Sequence, residues 1–145
     1  MRAILRDTIA DPEHWLSERL AEHESIRFAL LFGSRAHGRE RANSDWDVAF
    51  FCGEGADETS RFELRRRLAS ELEDLGRVDI ISLDDAPPLL AHRALQGRQL
   101  LMRDKVAYVR FFVKTMALAD DARHWAKIHR RARRRRLEEE SVGRS

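Results

Sequence analysis

Apolar residues along this chain occur in two spacings, and the alternation between them predicts strands that alternate with helices. Residues 26–32, "IRFALLF", and 46–52, "WDVAFFC", are mostly apolar runs with the length and composition of buried strands. Residues 77–83, "RVDIISL", form a third run of this kind, and residues 98–102, "RQLLM", form a shorter run that suits a sheet edge. The pattern therefore predicts one central sheet.

Between these runs, apolar residues recur every three or four positions, which predicts helices. The first helix begins at Asp11-Pro12, because aspartate followed by proline is a typical helix start, and it ends near Glu24. The second covers residues 61–76 with four leucines on one face, and the third covers residues 86–97. The sheet should therefore be flanked by helices.

Helical periodicity continues from residue 104 to about residue 140, and so long a run predicts a break at "ADDA", residues 119–122. The order of elements predicts an α/β or α+β domain with a helical C-terminal extension. We assign residues 1–103 to the domain that holds the sheet and residues 104–145 to the extension, within the same compact unit.

The composition limits the class of protein. A chain of 145 residues has room for one hydrophobic core. Its apolar runs are only a few residues long and its first ten residues lack the apolar stretch of a signal peptide, so we expect a cytoplasmic protein that does not bind membranes. Cys52 is the only cysteine and follows an apolar run, so we expect a buried core thiol.

The net charge of +2 conceals an arginine-rich segment at residues 130–136, "RRARRRR". This segment could bind nucleic acid by neutralising phosphates. However, Glu138, Glu139 and Glu140 follow at the helical spacing that allows pairing within one helix, and no aromatic residue is interleaved to stack on a base. The pattern favours a solvated or partner-binding helix over a nucleic-acid site.

The polar segment between the first two strand runs leads into two aspartates, Asp45 and Asp47. Side chains alternate across a strand, so both fall on one face, ~7 Å apart along the backbone. Two carboxylates ~4 Å apart repel by about 4 kcal/mol at an effective dielectric of ~20, which favours a cation between them. Magnesium fits, because it binds one or two carboxylates together with substrate phosphates.

Two further features extend this candidate site. Asp79 lies within the third apolar run, and if that strand neighbours the Asp45/Asp47 strand, three carboxylates could hold two metal ions or provide a general base. On the other side, Gly33-Ser34 follows the first strand run. Glycine allows close approach of the backbone to a ligand, and the Ser34 hydroxyl with adjacent amides can hold phosphate oxygens.

Together these residues resemble the minimal nucleotidyltransferases of the DNA polymerase beta superfamily. Their hallmark is an apolar run, Gly-Ser, ten residues, Asp-x-Asp and a later strand aspartate, and the match covers roughly residues 26–102. The resemblance implies the polymerase-beta-like fold with a central mixed sheet, Mg²⁺ (two ions) and ATP as substrate. It implies catalytic and metal-binding Asp45, Asp47 and Asp79, and nucleotide-binding Gly33, Ser34 and Ser44. Arg35, next to Ser34, is a further nucleotide-binding candidate, because a positive charge in this loop could meet the triphosphate, although a solvated loop charge explains it equally well.

The acceptor is also suggested by resemblance. Small proteins of this form are similar to the antitoxin half of HEPN/MNT toxin–antitoxin systems, which transfers AMP to a tyrosine of a HEPN ribonuclease toxin. Two alternatives stay open. One is a non-catalytic antitoxin that neutralises its partner by binding, although a pure binder has no need of the three aspartates. The other is a transferase acting on small molecules such as aminoglycosides, for which the chain after Met102 leaves little room.

Overall fold

The computed structural model describes residues 9–41 and 44–143, and its elements alternate as the periodicity predicts. Short 3₁₀ turns cover Ser34–His37, Gly53–Gly55 and Glu73–Leu75. In chain order the helices and strands of these residues are α1 (Pro12–Ala21), β1 (Phe28–Phe32), β2 (Trp46–Phe51), α2 (Glu58–Glu71), β3 (Val78–Ser82), α3 (Pro88–Leu95), β4 (Arg98–Met102) and α4 (Lys105–Val142).

Aspartate caps explain where two helices begin. The Asp11 carboxylate accepts the N–H of His14 at 3.2 Å, which confirms the predicted start of α1, although the helix ends at Ala21 and not near Glu24. The Asp57 carboxylate accepts the N–H of Ser60 at 2.7 Å, so α2 starts before residue 61, where the apolar pattern alone placed it.

The four strands form one mixed sheet in the order β3-β2-β1-β4, so the predicted edge position of β4 is confirmed. Strand β1 is antiparallel to β2 and β4, whereas β2 and β3 are parallel. In this register Asp47 pairs with Phe32 on one side and with Asp79 on the other. The end of β1 and the beginnings of β2 and β3 therefore meet at one end of the sheet.

Each face of the sheet is covered by helices. On one face Leu16 and Leu20 of α1 and Leu68 and Leu72 of α2 pack against alternate strand residues. On the other face α3 and the first half of α4 cover the remaining strand side chains. Cys52 is 1% exposed, and burial raises its pKa to about 11, so the predicted core thiol is confirmed.

The predicted break at residues 119–122 is wrong, because α4 is continuous from Lys105 to Val142. The segment contains no glycine or proline, and its two alanines favour helix. Ala119 is fully buried while Asp120 faces solvent, with the Arg123 guanidinium 3.5 Å from its carboxylate. One buried and one exposed residue side by side are what an amphipathic helix requires, so the helix continues through this segment.

The second half of α4 leaves the body of the protein and is almost wholly exposed. It carries the arginine-rich segment, 130–136. Within residues 44–143, no ion pair joins these arginines to Glu138, Glu139 or Glu140, contrary to the predicted pairing along the helix. Among the helices described, none is both long and apolar enough to cross a membrane.

Candidate active site

Gly33 brings the backbone directly against Asp47. Its φ of +75° and ψ of −156° lie in a region that is almost restricted to glycine. A Cβ atom at Gly33 would lie 2.1 Å from Oδ2 of Asp47. Any side chain here would occupy the position of the carboxylate, so both the conformation and the space require glycine.

The turn after Gly33 is a 3₁₀ turn that presents Ser34 at the same end of the sheet. Gly38 ends it with a φ of +68°, and the Ser34 carbonyl accepts the N–H groups of Gly38 and Arg39, the second at 2.9 Å. The Ser34 carbonyl is therefore hydrogen-bonded within the turn, and the first residues of the turn lie at the end of the sheet that carries the aspartates. This arrangement fits the predicted phosphate-binding role of Gly33 and Ser34.

The three predicted acids come together at this end of the sheet. Asp47 is the second residue of β2 and pairs directly with Asp79, the second residue of β3, while Asp45 immediately precedes β2. The pKa of Asp47 is raised, first by burial and then by the negative charge of Asp79, with a smaller contribution from Asp45. Asp79 itself is exposed, because β3 is an edge strand.

Two arginines that sequence reasoning missed lie at the rim of this acidic cluster. Nε of Arg77 is 3.8 Å from Oδ2 of Asp45, with the Arg77 side chain 82% exposed. The positive charge of Arg93 on α3 partly offsets the rise in the pKa of Asp47. Arg77 adjoins the Asp79 strand, but no sequence pattern indicates which face Arg93 occupies; only the packing of α3 shows it.

Arg35 and Ser44, the other predicted nucleotide-binding residues, contact each other. The Arg35 guanidinium donates two hydrogen bonds to the Ser44 carbonyl, and the Ser44 hydroxyl accepts the N–H of Arg41 at 2.7 Å. Arg35 also covers the ring of Trp46. Both residues therefore lie close to the aspartates, but the contacts just named are internal to the loop and strand.

The donor set agrees with a magnesium ion whose coordination is completed by a substrate. Across residues 9–41 and 44–143, no three His, Cys, Asp or Glu side chains are grouped so that they could hold a metal by themselves. Magnesium is usually held by one or two carboxylates plus phosphate oxygens and water. Asp45 and Asp47, whose ionised forms repel each other, can provide the carboxylates of such a site.

Two grooves of about 650 and 660 Å³ lie elsewhere on the molecule. The first is lined by α2 and by the connection from β3 to α3, and the second by the loop after β2 and the start of α4. Neither groove is lined by residues 33–47 or by Asp79. These two grooves therefore do not include the candidate site.

Comparison with known families matches residues 15–106, more than half of the chain, to the family described as polymerase beta, nucleotidyltransferase. The protein adenylyltransferase MntA of Shewanella oneidensis is 36% identical over 76 residues, which are 52% of this chain and 53% of MntA. The chain therefore matches about half the length of this curated relative.

Solved structures extend the similarity to the fold. A chain in a crystal structure of a toxin–antitoxin with AMP-PNP is 26% identical with a TM-score of 0.61, over 82% of this chain and 96% of that chain. A chain in the toxin–antitoxin MntA-HepT is 26% identical with a TM-score of 0.58, over 81% and 94% respectively. These similarities include part of α4, beyond the region of the family match.

Proposed function

Since this chain belongs to the polymerase beta nucleotidyltransferase family, we propose that it transfers AMP from ATP to a hydroxyl group of a partner protein. One observation carries the proposal: the Gly33 backbone lies against the Asp47 carboxylate, while Asp79 pairs with Asp47 on the neighbouring strand. The turn that begins at Ser34 and the acids are thereby held at one end of one sheet, which supports a joint role in binding a nucleotide.

Each residue has a role in this proposal. Ser34 and the backbone N–H groups at the start of its turn bind phosphate oxygens, as concave runs of backbone amides commonly do. Asp45 and Asp47 hold the cation, and exposed Asp79 lies nearest the acceptor, where it binds a second ion or takes the proton of the attacking hydroxyl. Magnesium would neutralise charge that develops on the phosphates.

The transfer is a displacement at phosphorus. The acceptor oxygen forms a bond to the α-phosphorus of ATP, the bond from that phosphorus to the bridging oxygen breaks, and pyrophosphate leaves with the electron pair. The hydroxyl proton passes to Asp79 or to water. Catalysis then depends on holding the two reactants in line and on charge stabilisation, so the protein needs no covalent intermediate.

The partner proposed is a HEPN-type toxin, which the chain silences as an antitoxin. Support comes from MntA, whose name describes a protein adenylyltransferase, and from the solved toxin–antitoxin complexes, one of them with an ATP analogue. The exposed second half of the 38-residue helix α4 could contact such a partner in addition to the site.

The proposal is tested by incubating the protein with Mg²⁺ and α-labelled ATP, with and without the product of the neighbouring gene. We expect label on the partner, none with the double variant Asp45→Asn/Asp47→Asn, and intact folding of that variant. Tight binding of the partner without transfer of any of the four nucleotides would instead identify a non-catalytic binding module. Label on an aminoglycoside but not on protein would identify a small-molecule transferase.

A further inference from the structure

Trp46 lies on the face of the sheet opposite to the candidate site. Because strand residues alternate between faces, Trp46 and Asp47 point to opposite faces of the sheet. Trp46 is 7% exposed and packs in the core on the α1/α2 face, whereas Asp47 lies on the face that α3 covers. A side chain that contacts the Trp46 ring is therefore behind the catalytic surface.

Arg35 makes this contact. Its guanidinium carbon lies 4.0 Å from the centroid of the Trp46 ring, at stacking distance. Its Nε and Nη2 also donate to the Ser44 carbonyl, at 3.1 and 2.8 Å. The Ser44 carbonyl belongs to the peptide group that leads directly into Asp45. The side chain of Arg35 thus connects the turn that begins at Ser34 to the start of the aspartate strand.

The backbone of Arg35 is held as well. Nη2 of Arg98, the first residue of β4, donates to the Arg35 carbonyl at 3.2 Å. The same guanidinium pairs with the carboxylate of Glu13 on α1. A chain of contacts therefore runs from α1 through the edge strand to the turn, and then to the residue that precedes Asp45.

We propose that Arg35 is a positioning residue that fixes the Ser34 turn relative to Asp45 and Asp47, with Trp46, Arg98 and Glu13 as its supports. This role rests on the proposed function and assigns Arg35 to the back of the site instead of to the triphosphate. Its planar guanidinium can stack on the indole while two of its N–H groups donate to the same carbonyl oxygen, a combination that the lysine ammonium cannot reproduce.

A first test does not depend on activity. In a Trp15→Phe/Trp125→Phe background, Trp46 is the only tryptophan, and its quenching by acrylamide reports whether its ring is covered. We expect Arg35→Ala to increase the quenching constant at least about twofold and Arg35→Lys to give an intermediate value. The matched control is Arg39→Ala, which removes an exposed arginine from the same loop and should leave quenching unchanged.

A second test separates positioning from direct binding. Displacements of about 1 Å at a reacting centre can cost ~10²-fold in rate, so we expect Arg35→Ala to lower kcat by one to two orders of magnitude with a smaller change in KM for ATP. Combining it with Trp46→Leu should then cost much less than the product of the two single effects, because both variants break one contact.

Unchanged Trp46 quenching in Arg35→Ala would overturn the proposal, as would a large rise in KM for ATP with kcat unchanged, which would indicate a phosphate ligand. These outcomes differ from failure of the proposed function. If the parent protein transfers no nucleotide, the quenching experiment still decides whether Arg35 covers Trp46, and binding of AMP-PNP then replaces kcat as the functional measurement.

Discussion

The two ends of strands β2 and β3 both carry carboxylates, but the two ends hold them in different surroundings. At the end that holds the candidate site, Asp47 pairs with Asp79 and Asp45 precedes the same strand, and the pKa of Asp47 is raised by burial and by the charges of Asp79 and Asp45. At the paired end, Asp84 and Asp85 follow β3, and each accepts two hydrogen bonds. The same strands thus end in two opposite electrostatic environments.

At the paired end, Asp84 and Asp85 connect the end of β3 to the loop after β2 and to α2. The Asp84 carboxylate accepts the N–H groups of Cys52 and Gly53 at 2.9 and 2.8 Å, which holds the loop that follows β2. Asp85 accepts two hydrogen bonds from Arg61 of α2, at 2.9 and 2.8 Å, and this pairing lowers its pKa. These acids stabilise the fold, so their charges are satisfied inside the chain.

The difference indicates which acids are available for function. Packing mutually repelling carboxylates beside a glycine brings no evident gain in stability, and perturbed pKa values of this kind concentrate at functional sites. A structural acid can be recognised by its partners, as Asp84 and Asp85 show. A catalytic acid is recognised by a cost that a bound cation or substrate would remove.

The largest contrast should come from removing one carboxylate at each end. We expect Asp47→Asn to lower AMP transfer by at least about 10²-fold, the scale measured for loss of one electrostatic contact to a transition state. Its Tm should not fall, because the repulsion disappears with the charge. Asp85→Asn is the matched control, and its rate of AMP transfer per folded molecule should equal that of the parent protein. Comparable rates for the two variants would show that the catalytic end is misassigned.

The next contrast concerns two glycines with crowded surroundings. Gly33→Ala should cost about 1–3 kcal/mol of stability through backbone strain and should also abolish transfer, because its Cβ would displace Asp47. Gly97→Ala should destabilise the fold without a specific effect on transfer, since its Cβ would lie 2.0 Å from the Leu31 carbonyl oxygen. Denaturant unfolding and transfer assays on both proteins test this. An active Gly33→Ala enzyme would contradict the close approach.

A moderate effect is expected at Asp84. Asp84→Ala leaves the N–H groups of Cys52 and Gly53 without their acceptor, at a cost of about 1–3 kcal/mol if water does not replace it. Urea unfolding should show the loss as a lower midpoint with an unchanged slope. If stability were unaffected while transfer failed, the paired end would have a catalytic role that this account does not give it.

The smallest effects are pH-dependent and opposite in sign. The lowered pKa of Asp85 stabilises the fold above about pH 4, and this contribution disappears as pH falls through the lowered value. The raised pKa of Asp47 has the opposite effect on the free energy of unfolding. It costs no stability at acid pH, where the carboxyl is protonated, and it destabilises the fold as the carboxyl ionises. The Tm of Asp47→Asn should therefore exceed that of the parent only above about pH 4, and that of Asp85→Asn should lie below it over the same range.

The sequence predicts which acids meet at this end of the sheet, because the features that place them are local. Strand alternation places Asp45 and Asp47 together, and the family resemblance is confirmed by the match over residues 15–106. Asp79 lies next to Asp47 because β2 and β3 are neighbours, which was the condition stated for its place in the site. The roles of these residues stay predictions until they are tested.

The features that were missed depend on contacts between distant parts of the chain. Arg61 meets Asp85 across 24 positions, and Arg98 meets Arg35 across 63, so neither contact has a sequence pattern. The electrostatic effect of Arg93 on Asp47 similarly depends on the packing of α3 on the sheet. Periodicity predicts which face of an element is buried, but it does not specify which polar side chains meet across elements.

The most direct test of the account is calorimetric titration of AMP-PNP with Mg²⁺ into the parent protein, Asp47→Asn and Asp85→Asn. We expect magnesium-dependent binding to the parent and to Asp85→Asn, with binding to Asp47→Asn weakened at least about tenfold. Equal affinity for all three proteins, or affinity lost only in Asp85→Asn, would contradict the claim that the acids around Asp47 form the nucleotide site.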